Sequence, residues 1–325
     1  MLAAAPHALC QADGRPAANG RYAGFIHDLD TSTWDGKGLN SRRRWQRKTW
    51  VYFGFFSARF AVGFAIVDAG YLATAFCYVF DRSTGKLTEE NIRLPMGFAH
   101  DFHADWRQPW QLSQGGKRWQ CVRKGDGWSL TCESKTLQLC AHVKDHARGI
   151  SVVSASPGRP FHHTYKLCGL DAEVNLTING ATHRFSAGAS MDYTRGYPPR
   201  ETVWNWASLD GQTVCGQRVA INLVAHFLNG MENALWLGDE IIPLAQTVFD
   251  YDPQDLMQPW HIYTLDKRVD ITFTPDGKRA EHLNLALLTS DFTQPFGHFD
   301  GNVHTANGLE RVRGFGVVEA HRAVW

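Results

Sequence analysis

The sequence of 325 residues is 44% hydrophobic and 20% charged, which is typical of a globular protein with one large or two ordinary cores. Its 33 basic and 32 acidic residues leave a formal charge of +1, so no overall field attracts nucleic acid or an anionic membrane surface. We therefore expect no nucleic-acid partner. The 12 Trp, 19 Phe and 9 Tyr suit β-strands and also the lining of an apolar pocket.

The cysteines and the first residues indicate a compartment. Seven cysteines are present, an odd number, and no two have CxxC spacing. Several lie in apolar strand-like runs, which favours reduced thiols and a cytoplasmic location. The start of the chain has no basic stretch followed by an apolar core, so no signal peptide is predicted. No apolar run approaches the ~18 residues that cross a bilayer, so we expect no stable membrane span. The oligomeric state is left open.

The predicted elements are almost all short strands. Residues 1–40 lack periodicity and are expected to wrap the surface, and the basic cluster SRRRWQRKTW at 41–50 is interpreted as a solvated barrel rim. Alternating or continuous apolar runs separated by turn residues then predict strands along the rest of the chain. These runs lie at 51–56, 59–68, 71–80, 119–122, 128–132, 136–143, 164–178, 183–187, 218–227, 234–237, 240–244, 261–265, 269–273 and 282–289. The Asn179–Gly180 turn is a strong hairpin signal.

Some fifteen short strands exceed the needs of one small barrel, and closure removes exposed strand edges. The predicted fold is therefore all-β, with two tandem antiparallel lipocalin-like (calycin-type) β-barrels. The Pro/Gly/Ser-rich stretch at 154–160 is the predicted boundary. Residues 1–160 would form an N-terminal extension and the first barrel, and 161–325 the second.

The densest group of reactive and aromatic side chains is GASMDYTRGYPPRETVWNWA at 188–207. On the strand period of two, Asp192 shares a face with Thr194, and Trp204 shares one with Trp206. One interpretation is a general acid, Asp192, facing an aromatic wall that stabilises positive charge. The alternative is a strand end with a solvated acid and two core tryptophans. Asn205 and Trp236 complete the candidate substrate-binding residues of the second half, and Tyr193 and Arg195 are candidates beside Asp192.

Two further sites compete with this one. The first is the segment HDFHADW at 100–106. A strand there would place Asp101, His103 and Asp105 on one face, as a proton relay or a metal ligand set. Trp106 is a further substrate-binding candidate. Histidines at this spacing diverge on a strand, so no metal is predicted. The 162–163 pair is interpreted as hydrogen-bonded barrel histidines. No GxSxG elbow is present, and no glycine-rich phosphate loop follows a strand and opens a helix, which disfavours serine hydrolases and nucleotide enzymes.

Six motifs carry a resemblance that spans nearly the whole chain. They are ALCQADGR (8–15), DYTRG (192–196), TVWNWA (202–207), ENALW (232–236), QPFGHFDG (294–301) and GFGVVEAH (314–321). They resemble a bacterial family of unknown function and, more remotely, the AttH-type proteins, which include carotenoid hydratase and kievitone hydratase. Tocopherol cyclase is a similar lipocalin-like protein. The resemblance implies two lipocalin-type barrels with a pocket between them, and addition of water to, or cyclisation of, a prenyl chain.

The resemblance is residue-specific at one place. Carotenoid hydratase relatives carry Asp-His-x-Trp-Gly at the opening of a strand in the second barrel. Asp192 and Gly196 match that segment, whereas Tyr193 and Arg195 replace its His and Trp.

Three functions remain open. The first is an acid-initiated hydratase, cyclase or isomerase acting on an apolar, isoprenoid or terpenoid substrate. The second is a non-catalytic lipid carrier, and the third is a lyase or hydrolase acting on a polar, glycan-like ligand. No cofactor is expected, because protonation of an alkene needs only a carboxylic acid and a sheltering pocket.

Overall fold

Strands make up most of the chain in the computed structural model, which describes residues 2–36, 42–95, 100–101, 104–105, 108–145, 148–155, 160–285 and 288–325. Two short helices, α1 (Ser32–Asp35) and α2 (Arg42–Gln46), and one 3₁₀ turn (Leu228–Gly230) are the helical elements within those ranges. The predicted all-β class is confirmed. The basic cluster at 41–50 differs in detail, because α2 precedes a strand that already begins at Lys48.

The first sheet contains 14 strands in the order β6-β5-β4-β3-β14-β13-β11-β10-β9-β8-β7. Off this path, β12 pairs with β13 and β2, and β2 pairs in parallel with β1. The strands are β1 (Ala3–Ala4), β2 (Gly20–Ala23), β3 (Lys48–Phe56), β4 (Phe60–Asp68), β5 (Leu72–Asp81), β6 (Lys86–Pro95), β7 (His100–Asp101), β8 (Trp110–Gln114), β9 (Lys117–Lys124), β10 (Gly127–Glu133), β11 (Leu137–Lys144), β12 (Ile150–Ser154), β13 (His162–Ile178) and β14 (Ala181–Gly196).

The second sheet contains nine strands in the order β18-β17-β16-β15-β23-β22-β21-β20-β19. They are β15 (Glu201–Thr213), β16 (Arg218–Ala225), β17 (Ala234–Leu237), β18 (Glu240–Pro243), β19 (Thr247–Asp250), β20 (Trp260–Thr264), β21 (Val269–Leu285), β22 (Leu288–Thr305) and β23 (Gly308–Val324). One sheet is a nearly closed barrel and the other a half-barrel. The prediction of two antiparallel lipocalin-like barrels is confirmed, with one of the two barrels only half closed.

The β13–β14 hairpin follows from its turn and from its apolar pattern. Asn179 and Gly180 have φ of 49° and 85°, the left-handed conformation that a two-residue hairpin turn requires and that these residue types favour. The pairing then runs regularly from Ile178 opposite Ala181 to Leu170 opposite Ala189. The predicted hairpin is confirmed, although its second strand continues to Gly196.

A bulge interrupts β13 between Leu167 and Leu170. Two residues there, Cys168 and Gly169, oppose one residue of β14, and Gly169 has a φ of 76°. On the far side of the bulge from the turn, Leu167 pairs with Met191. The odd-numbered residues of 162–167 therefore face the same side of the sheet as the even-numbered residues of 170–178. This change of parity decides which side chains of 162–167 face the apolar side of the sheet.

The chain divides into two compact units, each described here by itself. Unit 1 comprises 1–57, 62–79 and 87–198, and unit 2 comprises 58–61, 80–86 and 199–325. Residues 156–159 of the predicted linker lie outside the described residues, and the strands on either side of it, β12 and β13, both belong to the first sheet and to unit 1. The division near Pro198–Pro199 follows β14, where residues without an N–H cannot continue a ladder.

The core of unit 2 lies on one face of its sheet. It includes Ala207, Leu209, Val318, Trp260 and Phe273, and Ala320 packs against it. Because side chains alternate along a strand, the residues between them, such as 319 and 321, belong to the opposite face. Within the described residues, no helix combines the length and apolar character needed to cross a membrane.

Candidate functional site

Strand β14 carries the candidate residues of unit 1 between β13 and β3. Tyr193 pairs with Tyr165 and Val51, and Arg195 pairs with His163. These side chains share the face of Met191, which is the apolar side of the sheet. We call His163, Tyr193, Arg195 and the nearby Trp110 the inner cluster; in it, charged and aromatic groups meet the apolar core.

His163 is held as a neutral imidazole with a defined tautomer. Its Nδ1 lies 3.0 Å from the Val152 carbonyl oxygen, which can only accept, so Nδ1–H donates. Burial, opposed by the hydrogen bond to the Val152 carbonyl and reinforced by the Arg195 charge, lowers the pKa of His163 to about 4. Nε2 therefore keeps a lone pair, and it has no hydrogen-bond partner among the residues that the structure describes.

Tyr193 lies between His163 and Trp110. Its ring centroid is 6.0 Å from that of His163 and 5.5 Å from that of Trp110. Burial raises the pKa of the phenol to about 12, although the Arg195 guanidinium acts in the opposite direction. The hydroxyl therefore stays protonated at neutral pH and can donate. A cavity of about 10 Å³ adjoins Trp110, close to the minimum for one water. It is lined by Val51, Gln108, Trp110, Cys121 and Trp128.

Arg195 joins the inner cluster to a network from the N-terminal segment. Its Nη2 donates to Thr31 Oγ1 at 3.3 Å, and that hydroxyl donates to Asp35 Oδ2 at 3.0 Å. Arg47 also donates to Thr31 Oγ1 and forms an ion pair with Asp35, which accepts from the Tyr197 hydroxyl as well. The Thr31 hydroxyl thus links the buried Arg195 guanidinium to the Asp35 carboxylate, which orients the guanidinium and partly neutralises its charge.

Two described residues of the rival segment, Ala104 and Asp105, contact the N-terminal segment at Leu29 and Asp28. The Ala104 carbonyl accepts from Leu29 N–H at 3.3 Å, and Asp105 forms a β-bridge with Asp28. Asp101 lies in β7, but its side chain, like the whole of His103 and Trp106, lies outside the described residues. Among the residues that are described, no three His, Cys, Asp or Glu side chains form a metal-binding group.

Asp192 lies on the face of β14 opposite Tyr193 and Arg195. It pairs across the strands with Lys166, whose Nζ is 2.6 Å from Asp192 Oδ1, and the two side chains are 5% and 13% exposed. The two groups thus form an ion pair that is largely shielded from solvent. The Arg200 guanidinium donates to the Trp325 carbonyl oxygen. The partner of Asp192 is thus a lysine that the sequence did not single out.

The tryptophans of TVWNWA belong to unit 2. Trp204 Nε1 donates to Glu319 Oε1 at 2.8 Å, and Trp206 Nε1 donates to Asn222 Oδ1 at 2.8 Å, so both share one face as their spacing indicates. Asn205 points the other way, where its amide donates to the Tyr251 hydroxyl at 3.0 Å. Trp236 is buried in β17. Asp192 and its ion-pair partner Lys166 both belong to unit 1.

Comparison with known proteins gives a family. A family model described as a domain of unknown function, DUF2804, matches residues 2–325. The chain belongs to this family. A comparison with curated protein sequences returns no significant match.

Solved structures show which fold the DUF2804 chain shares. A protein assigned as AttH from Nitrosomonas europaea superposes with a TM-score of 0.54 at 14% identity, covering 88% of this chain and 97% of the other. Kievitone hydratase from Nectria haematococca superposes with a TM-score of 0.53 at 13% identity, covering 84% and 88%. At these identities the likeness establishes the AttH-type two-sheet fold, as the motifs predicted.

Proposed function

We propose that this DUF2804 protein is a cofactor-independent enzyme that adds water to, cyclises or isomerises a small, largely apolar substrate of the isoprenoid or terpenoid class. The observation that carries the proposal is the inner cluster, where a neutral histidine, a protonated phenol and a buried guanidinium adjoin an apolar core. The addition of water is supported by the name of one structural relative, kievitone hydratase, and the isoprenoid class follows from the resemblance of the motifs.

The cluster has the parts of a general acid–base site. His163 Nε2 can take a proton from water or from carbon, because its tautomer leaves that nitrogen unprotonated. The Tyr193 hydroxyl can donate a proton or a hydrogen bond to the substrate, since its pKa of about 12 keeps it protonated. Water would give one proton to His163 Nε2 as its oxygen bonds to one alkene carbon, and Tyr193 would give its proton to the other carbon. The proton on His163 then passes to the Tyr193 phenolate, which restores both groups.

Arg195 selects the sign of the charge that the site stabilises. Its guanidinium is 4% exposed, and a charge in such surroundings acts strongly on neighbouring groups. It stabilises negative charge on a substrate oxygen and opposes a carbocation. The favoured substrate is therefore an isoprenoid-type molecule that carries a carbonyl conjugated to its alkene.

Asp192 has a different role in this scheme. The sequence predicts that Asp192 donates a proton to the substrate, whereas its carboxyl group is engaged by the Lys166 ammonium group at 2.6 Å. We assign Asp192 to holding the β13–β14 pairing on the face opposite the inner cluster. Asp105, whose segment contacts residues 28–29 beside the Thr31–Asp35 network, is the carboxyl candidate that remains near the cluster.

The test is proton transfer in deuterated water with a panel of prenylated enones, followed by mass spectrometry. His163→Gln should lower the rate by about 10²–10⁴-fold, the usual effect of removing a general base. His162→Gln is the matched control, because that adjacent buried histidine faces the other side of β13 and should retain activity within about threefold.

Two outcomes would contradict the proposal. A folded His163→Gln variant with full activity would remove the inner cluster from the reaction. Tight binding of an apolar ligand that co-purifies with the wild type, with no turnover of that ligand or its analogues, would support the carrier function instead.

A further inference from the structure

A second group of reactive side chains lies in unit 2, on the face of its sheet opposite the apolar core. Glu319 and His321 are two residues apart on β23, so they share that face. Ser290 of β22 pairs with Ala323 and is therefore a diagonal neighbour of His321. Strand pairing thus brings a serine, a histidine and a carboxylate into a row.

The contacts in this row have a defined order. Ser290 Oγ is 2.8 Å from His321 Nε2, and His321 Nδ1 is 3.4 Å from Glu319 Oε1. Different ring nitrogens therefore face the hydroxyl and the carboxylate. The Nδ1–Oε1 contact is at ion-pair distance and is not a formed hydrogen bond, because Nδ1 has no hydrogen-bond partner among the described residues. The order of the three groups is nevertheless the one in which a carboxylate orients an imidazole that accepts the serine proton, and such contacts often shorten only when substrate binds.

Glu319 is fixed in position by two further donors. Trp204 Nε1 donates to its Oε1 at 2.8 Å, and Gln294 Nε2 donates to its Oε2 at 3.2 Å. Both donors bond to the carboxyl oxygens, so they hold the Glu319 side chain in place. In the tautomer with the proton on His321 Nδ1, the nitrogen that faces Glu319, Nε2 accepts from Ser290.

Aromatic rings surround the histidine. The His321 ring centroid is 4.1 Å from that of Trp204 and 5.2 Å from that of Phe292, with both ring pairs edge to face. Phe227 lies 6.1 Å from Trp204. The His321 side chain remains 11% exposed and Ser290 is partly exposed, so a small molecule can reach the hydroxyl beside an apolar wall.

We propose that Ser290 is a nucleophile that accepts acyl groups from small aromatic or aliphatic esters, with His321 as its general base and Glu319 as the orienting carboxylate. The proton of Ser290 passes to His321 Nε2 while Oγ bonds to the carbonyl carbon. The bond from that carbon to the alcohol oxygen breaks, and the alcohol leaves with the proton. Water then hydrolyses the acyl-serine by the same route and releases the acid.

This activity is separate from the one proposed for unit 1. It also arises without the GxSxG elbow whose absence disfavoured a serine hydrolase, because triads are defined by geometry and not by chain order. Ser290 lies in a regular strand rather than on an exposed turn. The direct readout is therefore covalent labelling of the serine rather than turnover.

The test uses the full chain with an alkyl fluorophosphonate, whose phosphorus bonds to the serine oxygen as fluoride leaves. Intact-mass analysis should show one adduct, and peptide mapping should place it on Ser290. Ser290→Ala should abolish the adduct, and His321→Gln should slow labelling by at least about 100-fold. Ser186→Ala is the matched control, because Ser186 also hydrogen-bonds a carboxylate, Glu173, at 2.9 Å and should leave labelling unchanged.

Each variant is first checked for the wild-type circular dichroism spectrum and melting temperature. Where His321→Gln fails this check, Glu319→Gln replaces it, with an expected slowing of at least about tenfold. The proposal is overturned by a folded wild type that does not label, by adducts spread over several residues, or by labelling of Ser290 that proceeds at the same rate without the histidine.

Discussion

His162 and His163 are adjacent, fully buried and on opposite faces of β13. Burial lowers the pKa of His162 to about 3 and that of His163 to about 4. In the unfolded chain both titrate near 6.5. Between these values the unfolded chain binds more protons, so the free energy of unfolding is highest above pH ~6.5 and falls as the pH drops towards about 4.

We therefore predict that the free energy of unfolding falls by about 1–2 kcal/mol for each of these histidines between pH 7 and pH 5. Urea unfolding at both pH values measures the difference. His163→Gln should show a smaller loss than the wild type, whereas His304→Gln, which changes an exposed histidine, should show the same loss. An identical pH dependence in His163→Gln would contradict the buried, neutral imidazole.

The Lys166–Asp192 pair makes a second prediction. Asp192→Asn removes the carboxylate partner of an ammonium that is 5% exposed, and breaking a buried pair in this way costs about 3 kcal/mol. The double variant Asp192→Asn with Lys166→Met should recover most of that loss, because no buried charge remains. Urea unfolding measures both variants. A single variant as stable as the wild type would show that the pair is not buried in solution.

The candidate residues were only partly predictable from the sequence. Tyr193 and Arg195 stand out by composition, and the strand period correctly separates them from Asp192. His163 was interpreted as structural, which fits its bond to Val152 but not the tautomer that leaves Nε2 available. The Thr31–Arg195 contact spans 164 positions, and no local pattern predicts such a pairing.

At the scale of elements, the strands were predictable because alternation and turn chemistry are local. The register in which the strands pair was not predictable from the sequence. Counting back from Asn179–Gly180 without a bulge places Leu167 opposite Asp192, whereas the bulge places Lys166 there. Alternation also cannot show that β21, β22 and β23 are each 17 or 18 residues long, because their central parts carry glycines and prolines that read as turns.

Those glycines have a structural reason at the crossing of β15, β23 and β22. A Cβ on Gly316 would lie 1.9 Å from the Ser208 carbonyl oxygen, which belongs to the paired backbone and cannot move aside. We predict that Gly316→Ala lowers the free energy of unfolding by about 2–3 kcal/mol. Gly20→Ala is the control, since its nearest neighbours are Tyr22 side-chain atoms at 3.2 Å. Equal unfolding curves for the two variants would contradict the close packing.

At the scale of the whole molecule, unit 2 contains two pieces from the first third of the chain, 58–61 and 80–86. Within this unit, the Phe80 ring lies 4.4 Å from that of Phe296, and Arg82 stacks at 3.7 Å on Phe315 and pairs with Asp276 at 2.7 Å. A fragment that starts at Pro199 therefore lacks part of its own packing.

We predict that a 199–325 fragment binds a dye for exposed apolar surface and unfolds without a cooperative transition. The full chain should not bind the dye and should unfold cooperatively. Phe80→Ala in the full chain tests the same contact, with an expected loss of about 3 kcal/mol in the free energy of unfolding. A fragment that melts cooperatively at the temperature of the full chain would show that the second half is independent.

The bulge at Cys168–Gly169 gives deletions a special effect in this chain. Removal of one of these two residues leaves a single residue opposite Ser190 and keeps Leu167 opposite Met191, so every side chain from 162 to 167 keeps its face. His163 would still lie opposite Arg195, and Lys166 opposite Asp192. The bulge is thus a place where the gene can lose one codon without moving the proposed base of the reaction, whereas the same loss inside 162–167 turns the residues before it to the other face.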